Sequence, residues 1–256
     1  MKANSHVFYK GNSRITGRPI VGIITSLMNG SRNQKTGEMY QVYIFVDNGI
    51  HPFENTKTGA DCDVCGNCQR RPYLIEAGQS DLEFPCYMGK EMGRAISSVW
   101  NSYQAGKIKS ISRLDLLAAI RYFRRSIRIS TYGDPTAIPL KVWQPMIKAA
   151  AGHTGYTQFW ADKKNAKYIS YFQASVSDLK QQAAARKLGW NTFRSDDSAT
   201  NADLSTKAGR RRFLIGREIP CPNPLSKGRE RLPITCAQCL QCSGLTANTD
   251  VLVASH

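Results

Sequence analysis

Two short segments of the chain carry cysteines at a spacing that suits metal binding. The segment "ADCDVCGNCQRRP" (60–72) has the pattern CxxCxxC, and "TCAQCLQCSG" (235–244) repeats it. A further cysteine follows the first segment in "FPCYMG", and another precedes the second segment in "IPCPNP". The first cysteine group is Cys62, Cys65, Cys68 and Cys86. The second cysteine group is Cys221, Cys236, Cys239 and Cys242.

This spacing favours iron-sulfur clusters over zinc. Zinc is usually held by two CxxC pairs, so a third cysteine at the same spacing is surplus to its geometry. Three closely spaced thiolates can instead hold three irons of a [4Fe–4S] cluster, while a distant cysteine or a substrate takes the fourth iron. The Cys221–Pro222 step also resembles the last cluster ligand of two-cluster ferredoxins. Two structural zinc sites that clamp the ends of the domain are the alternative, and the spacing leaves open which cysteines share a site.

Composition explains why disulfides are not expected. The chain has 256 residues, of which 41% are hydrophobic, so it can bury a core without covalent cross-links. No apolar run approaches the roughly 18 residues of a membrane span, and the N-terminus lacks the apolar stretch of a signal peptide. We therefore expect a cytoplasmic protein with no membrane partner. Metal binding or redox chemistry is the expected use of cysteines in a reducing compartment.

The charge of the chain indicates a polyanionic partner. Thirty-five Lys and Arg residues against nineteen Asp and Glu give a net charge of +16, which favours DNA or RNA, although a basic surface without a partner is the alternative. The excess is concentrated around Cys221, where phosphate contacts are predicted. These candidate nucleic-acid residues are Lys207, Arg210, Arg211, Arg212, Arg217, Lys227, Arg229 and Arg231.

The first half of the chain predicts a hairpin followed by two helices. Residues 20–27 and 39–46 are rich in β-branched and aromatic residues and flank a turn-like segment. The pattern becomes helical from 87 to 125, with Ser112 as the cap of the second helix. Arginines recur on that helix at helical spacing, which is more typical of a solvated face than of a phosphate clamp. They are Arg121, Arg124, Arg125 and Arg128.

The second half predicts alternating strands and helices. We expect strands at 126–134, 155–160, 168–175, 190–197 and 249–256, and helices at 139–152 and 176–189. Pro145 should kink or shorten the first of these helices. Such alternation indicates βαβ units and a parallel sheet. The predicted fold class is α/β, with residues 1–60 as an N-terminal β-hairpin extension and residues 61–256 as a partial or complete (β/α) barrel with cysteine-rich segments at both ends.

Polar residues at predicted strand ends are the candidates for catalysis. In (β/α) barrels the active site is built where the strands end. Any one of these side chains is more often a loop cap than a catalyst, so the sequence assigns no catalytic residue. The candidates are Asp134, Gln158, Gln173, Arg194 and Asp196.

Three blocks of the sequence resemble an uncharacterised family of bacteriophage and prophage proteins. The blocks are "RISTYGDPTAIPLKVWQPMIKAAAGHTGYTQFW", "YFQASVSDLKQQAAARKLGWNTFR" and "IPCPNPLSKGRERLPITCAQCLQC". The resemblance covers residues 60–256 and implies a cysteine-rich loop ahead of a half-barrel of βα units. If the protein is phage-encoded, its compartment is the host cytoplasm.

A looser similarity connects the chain to radical-SAM enzymes. Those proteins also place three cluster cysteines ahead of a partial (β/α) barrel, which implies that the first cysteine group binds a [4Fe–4S] cofactor beside S-adenosylmethionine. Their usual pattern is CxxxCxxC with an aromatic residue before the last cysteine, whereas this chain has CxxCxxC with Asn67 there.

Two functional hypotheses follow. The first is a radical-SAM-like iron-sulfur enzyme that acts on a nucleic acid or a nucleotide. The second is a basic nucleic-acid-binding protein, stabilised by zinc, without catalysis. Both use all eight cysteines as metal ligands, and they differ in the metal that those cysteines hold.

Overall fold

The computed structural model describes residues 3–80, 82, 86, 93–222, 234–245 and 249–254. They form an α/β fold with two five-stranded sheets. The strands are β1 (His6–Asn12), β2 (Pro19–Thr25), β3 (Tyr40–Val46), β4 (Ile127–Tyr132), β5 (His153–Thr154), β6 (Tyr156–Thr157), β7 (Gln173–Val176), β8 (Thr192–Asp196), β9 (Glu218–Pro220) and β10 (Asp250–Ala254). None of the helices within these ranges is long and apolar enough to cross a membrane.

Helices connect the strands of both sheets. The α-helices are α1 (Pro52–Thr58), α2 (Cys62–Cys65), α3 (Pro72–Glu76), α4 (Gly93–Gln104), α5 (Arg113–Phe123), α6 (Leu140–Ala149), α7 (Leu179–Lys187), α8 (Asn201–Ser205), α9 (Lys207–Phe213) and α10 (Cys236–Cys239). Three short 3-10 helices cover Pro135–Ala137, Lys163–Tyr168 and Gln241–Ser243. Ser112 caps α5 as expected, because its side chain accepts a hydrogen bond from the backbone N–H of Asp115.

The first sheet joins the N-terminal hairpin to the strands that follow. Its order is β1-β2-β3-β4-β5, with antiparallel pairing from β1 to β3 and parallel pairing from β3 to β5. All seven residues of β3 are buried, as expected for a central strand covered on both faces. The predicted hairpin is confirmed, and through the pairing of β3 with β4 it shares a sheet with the second half of the chain.

The second sheet is entirely parallel, with the order β6-β7-β8-β10-β9. Only Gly155 separates β5 of the first sheet from β6 of the second. A Cβ at this position would lie 2.7 Å from the ring of Phe172, so glycine permits the close approach. The α/β class is confirmed, but no closed sheet is present in the described ranges, and a complete barrel is therefore not shown.

Large aromatic side chains join the two sheets in one core. Trp143 on α6 and Trp190 before β8 are fully buried and belong to the same cluster as Phe45 on β3. The indole N–H of Trp143 donates to the carbonyl of Pro135 at 2.8 Å, which satisfies the polar atom of this buried ring. The core therefore extends from the hairpin to the second sheet.

Most of the predicted elements are present, and one strand is wrong. The predicted strands 126–134, 155–160, 190–197 and 249–256 correspond to β4, the two-residue β6, β8 and β10, and the predicted helices 139–152 and 176–189 correspond to α6 and α7. Residues 87–92 of the predicted helical segment and residues 255–256 of the last predicted strand lie outside the described residues. Pro145 lies inside α6, which is shorter than predicted. The predicted strand 168–175 is instead the end of a 3-10 helix, a turn and the first residues of β7. Its aromatic residues Tyr168 and Phe172 are buried by stacking on each other, so their pattern reflects burial and not an extended backbone.

Asp250, at the start of β10, predicts how stability depends on pH. Burial raises the pKa of its carboxyl, but hydrogen bonds from Arg217 and Thr192 and the charge of Arg186 outweigh burial and hold the pKa below its usual value. A depressed folded-state pKa contributes stability above the unfolded value of about 3.9, and this contribution is lost as the pH falls through the folded-state pKa. We expect Asp250→Asn to flatten the decline in unfolding free energy below about pH 4.

Urea unfolding at a series of pH values measures this effect. Asp178→Asn removes the same charge from an exposed helix cap and serves as the control. Equal acid sensitivity of the wild-type protein and Asp250→Asn would show that the ion pairs of Asp250 do not contribute to the pH dependence.

Candidate metal centres

The first cysteine group lies on a short helix and the turns that follow it. Cys62 and Cys65 are the first and last residues of α2, and the N–H of Cys68 donates to the carbonyl of Cys65 at 3.2 Å. The N–H of Cys86 donates to the carbonyl of Arg70 at 2.7 Å. This hydrogen bond holds the fourth cysteine beside the loop that carries the other three.

This group sits at the edge of the sheets where parallel strands end, which we call the carboxyl edge. Beyond β4, the N–H of Asp134 donates to the carbonyl of Val64 at 2.6 Å. Beyond β6, Gly66 packs against Phe159 so closely that the ring leaves no room for a Cβ. At the end of β8, Arg70 donates to the hydroxyl of Ser195 at 2.9 Å. The ends of three different strands therefore contact the first cysteine segment.

A buried ion pair fixes the loop of the first cysteine group. Arg71 binds Asp61 through two nitrogens, and the side chains are only 6% and 2% exposed. Arg71 also donates to the carbonyls of Gly66 at 2.8 Å and Gly59 at 2.6 Å. A planar guanidinium can make these bonds at once because its donors are in a fixed fork. Arg71 therefore fixes the backbone before α2, at Gly59, and after α2, at Gly66.

The cysteines of the first group are half-buried, and their thiols lie near one another. Burial raises the pKa of Cys65 well above its usual value, and repulsion from Asp61, Cys68 and Cys86 raises it further. Burial raises the pKa of Cys68 to about 12, with the charge of Cys86 as the next cause. The Cys62 sulfur lies 3.8 Å from the carboxylate of its neighbour Asp63. Three thiols are thus within electrostatic range of each other, and the fourth faces Asp63.

The CxxCxxC segment of the second cysteine group lies at the opposite edge, where the parallel strands begin, which we call the amino edge. Helix α10 is attached to the loop before β3, because the N–H of Cys236 donates to the carbonyl of Lys35 at 3.0 Å. The N–H of Gly155, just before β6, donates to the carbonyl of Cys242 at 3.0 Å. Cys221 follows β9, and its N–H donates to Leu252 in β10 at 2.8 Å.

The four thiols of the second group also influence each other. Burial raises the pKa of Cys242, and charge on Cys221, Cys236 and Cys239 adds to the increase. Burial also raises the pKa of Cys236, although the nearby Arg128 partly offsets this effect. Each cysteine segment is therefore grouped with its own near partner, and the two CxxCxxC segments lie at opposite edges of the sheets.

The side chains do not form a ready ligand cage. No set of three or more His, Cys, Asp or Glu side chains is arranged to hold a metal ion within the described part of the chain. The chemistry of the donors nonetheless suits a thiophilic metal. Thiols whose pKa is raised are protonated at neutral pH, and a bound metal would displace those protons. The loops would have to move to bring four sulfurs onto one centre.

Two strand-end candidates lie together at the carboxyl edge. The buried carboxylate of Asp134 accepts hydrogen bonds from the N–H of Thr136 at 2.9 Å and from the N–H of Gln158 at 2.8 Å. The amide of Gln158 donates to the hydroxyl of Ser175, at the end of β7, at 2.7 Å. Asp134 therefore connects the segments that follow β4 and β6, while Gln158 remains partly exposed at the same edge.

Of the other three candidates, Asp196 is the last residue of β8 and also lies at the carboxyl edge, whereas Gln173 and Arg194 do not. Gln173 is the first residue of β7, because the preceding residues do not form a strand, and it belongs to the amino edge. Its amide nitrogen donates to the carbonyl of Gln241, next to Cys242, at 3.1 Å. Arg194 is buried within β8 and binds both Glu218 and Asp196. These contacts join Arg194 to β9 and to the end of its own strand.

The basic segment is only partly available for phosphate contacts. Lys207, Arg211 and Arg212 are exposed on α9. Arg210 donates to the carbonyl of Leu204 at 2.7 Å, and Arg217 binds the buried carboxylate of Asp250 at 2.6 Å. The predicted residues Lys227, Arg229 and Arg231 lie outside the described residues.

Sequence reasoning did not single out three residues that organise the first cysteine group, namely Asp61, Arg70 and Arg71. The available signal was the pair of arginines directly after the third cysteine, in "NCQRRP". Spacing alone does not distinguish these arginines from surface charge. Arg70 binds Asp197, which follows β8, and Arg71 binds Asp61, which precedes α2.

The carboxyl edge thus combines the first cysteine group, a buried ion pair and polar strand-end residues, and the amino edge holds the CxxCxxC segment of the second cysteine group. Comparison of the chain with family models, with curated proteins and with solved structures gave no match.

Proposed function

We propose that the protein is an iron-sulfur enzyme of radical-SAM-like type that acts on a nucleic acid or a nucleotide. The observation that carries this proposal is the place of the first cysteine group at the carboxyl edge. Parallel α/β folds build their active sites at that edge, because the loops after several strands converge there.

In this proposal Cys62, Cys65 and Cys68 would hold three irons of a [4Fe–4S] cluster and leave its fourth iron for S-adenosylmethionine. Bound there, the cluster would supply the electron that cleaves S-adenosylmethionine. The chain's own residues would bind and orient the substrate, and Gln158 and Ser175 are partly exposed beside the group for that purpose. The second cysteine group would hold an auxiliary cluster at the amino edge.

The finer fold that we propose is a partial (β/α) barrel. Every pairing among strands β3 to β10 is parallel, and Gly155 is the single residue between the last strand of the first sheet and the first strand of the second. An open barrel of this kind would leave the carboxyl edge accessible to a large substrate.

Metal analysis of the anaerobically purified protein tests the proposal. We expect iron and sulfide to be bound and the preparation to be brown, because iron-sulfur clusters absorb visible light. A colourless protein that contains zinc would overturn the proposal. If iron is present, cleavage of S-adenosylmethionine by the reduced protein is the next measurement, and its absence would reject the radical-SAM part.

A zinc-stabilised nucleic-acid-binding protein is the second candidate. The observation that favours it is α9, which exposes Lys207, Arg211 and Arg212 without an ion pair among the described residues. In that case both cysteine groups would brace the fold, and the basic surface would contact phosphate without catalysis. The same metal analysis separates this candidate from the first.

A further inference from the structure

Helix α5 has an unusual outer face. Leu114 is 81% exposed and Tyr122 is 80% exposed, more than any other large hydrophobic residue in the described ranges. Ala118 lies between them and is also exposed. These residues are four apart, so they follow one side of the helix over about 12 Å. The opposite side is buried through Leu116, Leu117 and Ile120, so α5 is firmly attached to the core.

Cations surround this apolar stripe. Arg113, Arg121 and Arg124 are exposed, and none of them makes an ion pair within the part of the chain that the structure describes. Arg125 is different because it binds Glu38 and the carbonyl of Met28. Of the arginines in and just after α5, Arg125 therefore contacts the rest of the fold, whereas Arg113, Arg121 and Arg124 face solvent.

The ring of Tyr122 is supported from one side. It meets Phe123 edge-on, with ring centroids 5.0 Å apart and an interplanar angle of 87°. The guanidinium of Arg125 lies 5.4 Å from the centroid of the Phe123 ring and packs against that ring. An exposed aromatic ring with a fixed neighbour loses little conformational freedom when a flat partner stacks on it.

We propose that the outer face of α5 binds single-stranded nucleic acid, with a base stacked on Tyr122 and phosphates bound by Arg113, Arg121 and Arg124. Exposed aromatic rings among cations are the standard means by which proteins bind single strands without reading their sequence. The apolar stripe is too narrow for a helix-binding groove, since only two large apolar side chains contribute to it. The inference depends on the nucleic-acid partner of the proposed function and not on its metal.

Substitutions at Tyr122 test the stacking. Fluorescence anisotropy would measure the Kd of the full-length protein for labelled DNA and RNA single strands of about 12 nucleotides, a typical site size. We expect Tyr122→Leu to weaken binding by about 5- to 100-fold, because leucine is apolar but cannot stack as a ring. Tyr122→Phe keeps the ring and should bind like the wild-type protein. The two oligonucleotides show whether the bound strand is DNA or RNA.

Substitutions of the arginines test the phosphate contacts. Arg113→Gln/Arg121→Gln should lower the magnitude of the slope of log K against log salt by about 1.4, since each phosphate contact on a single strand contributes about 0.7. Lys180→Gln/Lys187→Gln removes the same charge from exposed positions of α7 and should leave the slope unchanged.

Three results would overturn the inference. They are an unchanged affinity in Tyr122→Leu, an equal loss of slope in the α7 control, and wild-type protein that does not bind either oligonucleotide. Metal content is measured on every preparation. Loss of oligonucleotide binding at α5 can therefore be told apart from loss of the bound metal. A variant that keeps its metal and loses the oligonucleotide supports the inference.

Discussion

Replacing Arg71 with methionine is expected to lower the free energy of unfolding by about 3–5 kcal/mol, the usual cost of removing one partner from a buried ion pair. The carboxylate of Asp61 would remain almost fully buried, without the two nitrogens that now bind it. Burial already raises the pKa of Asp61. The carbonyls of Gly59 and Gly66 would also lose their donor, so the loop of the first cysteine group should loosen.

Urea unfolding of matched variants measures this effect. Lys57→Met removes the same charge from an exposed pair with Glu54 and should have little effect, because surface ion pairs are screened by water. The double variant Asp61→Leu/Arg71→Met should recover part of the loss, since no unpaired charge remains buried. If Arg71→Met and Lys57→Met are equally stable, Asp61 is not held as a buried carboxylate.

The fold could largely be predicted where a local pattern coincides with burial. The alternation of apolar strands with helices ending at glycine located β4, α6, α7 and β8, because each of these elements buries one regular face. The segment before β7 was mispredicted because Tyr168 and Phe172 are buried without being extended. Closure of the sheets depends on contacts between distant residues, and no local pattern reports it.

The candidate site was predictable in its residue types and not in its geometry. The two CxxCxxC segments identify the cysteines, but their spacing cannot tell which partner each segment keeps. The hydrogen bond from Cys86 to Arg70 brings Cys86 beside the first segment, and it joins residues 16 positions apart. The contact of Arg70 with Ser195 spans 125 positions, and sequence reasoning has no access to such a pair.

Removing two thiols from one group is expected to eliminate about half of the bound metal. Cys65→Ser/Cys68→Ser should lose the metal of the first group, and Cys236→Ser/Cys239→Ser should lose that of the second, because closely spaced thiolates are needed together. Metal per chain, measured by mass spectrometry on protein purified anaerobically, gives the result. Far-ultraviolet circular dichroism checks that each variant is folded.

The two double variants should lose their metal independently, because the two CxxCxxC segments lie at opposite edges of the sheets. Cys65 is near Asp134, beyond the end of β4, whereas Cys236 is near Arg128, at the start of the same strand. A strand of six residues spans about 20 Å, too far for one cluster to be shared. If either double variant lost all of its metal while remaining folded, the eight thiols would form a single site, and the assignment of one group to each edge would be wrong.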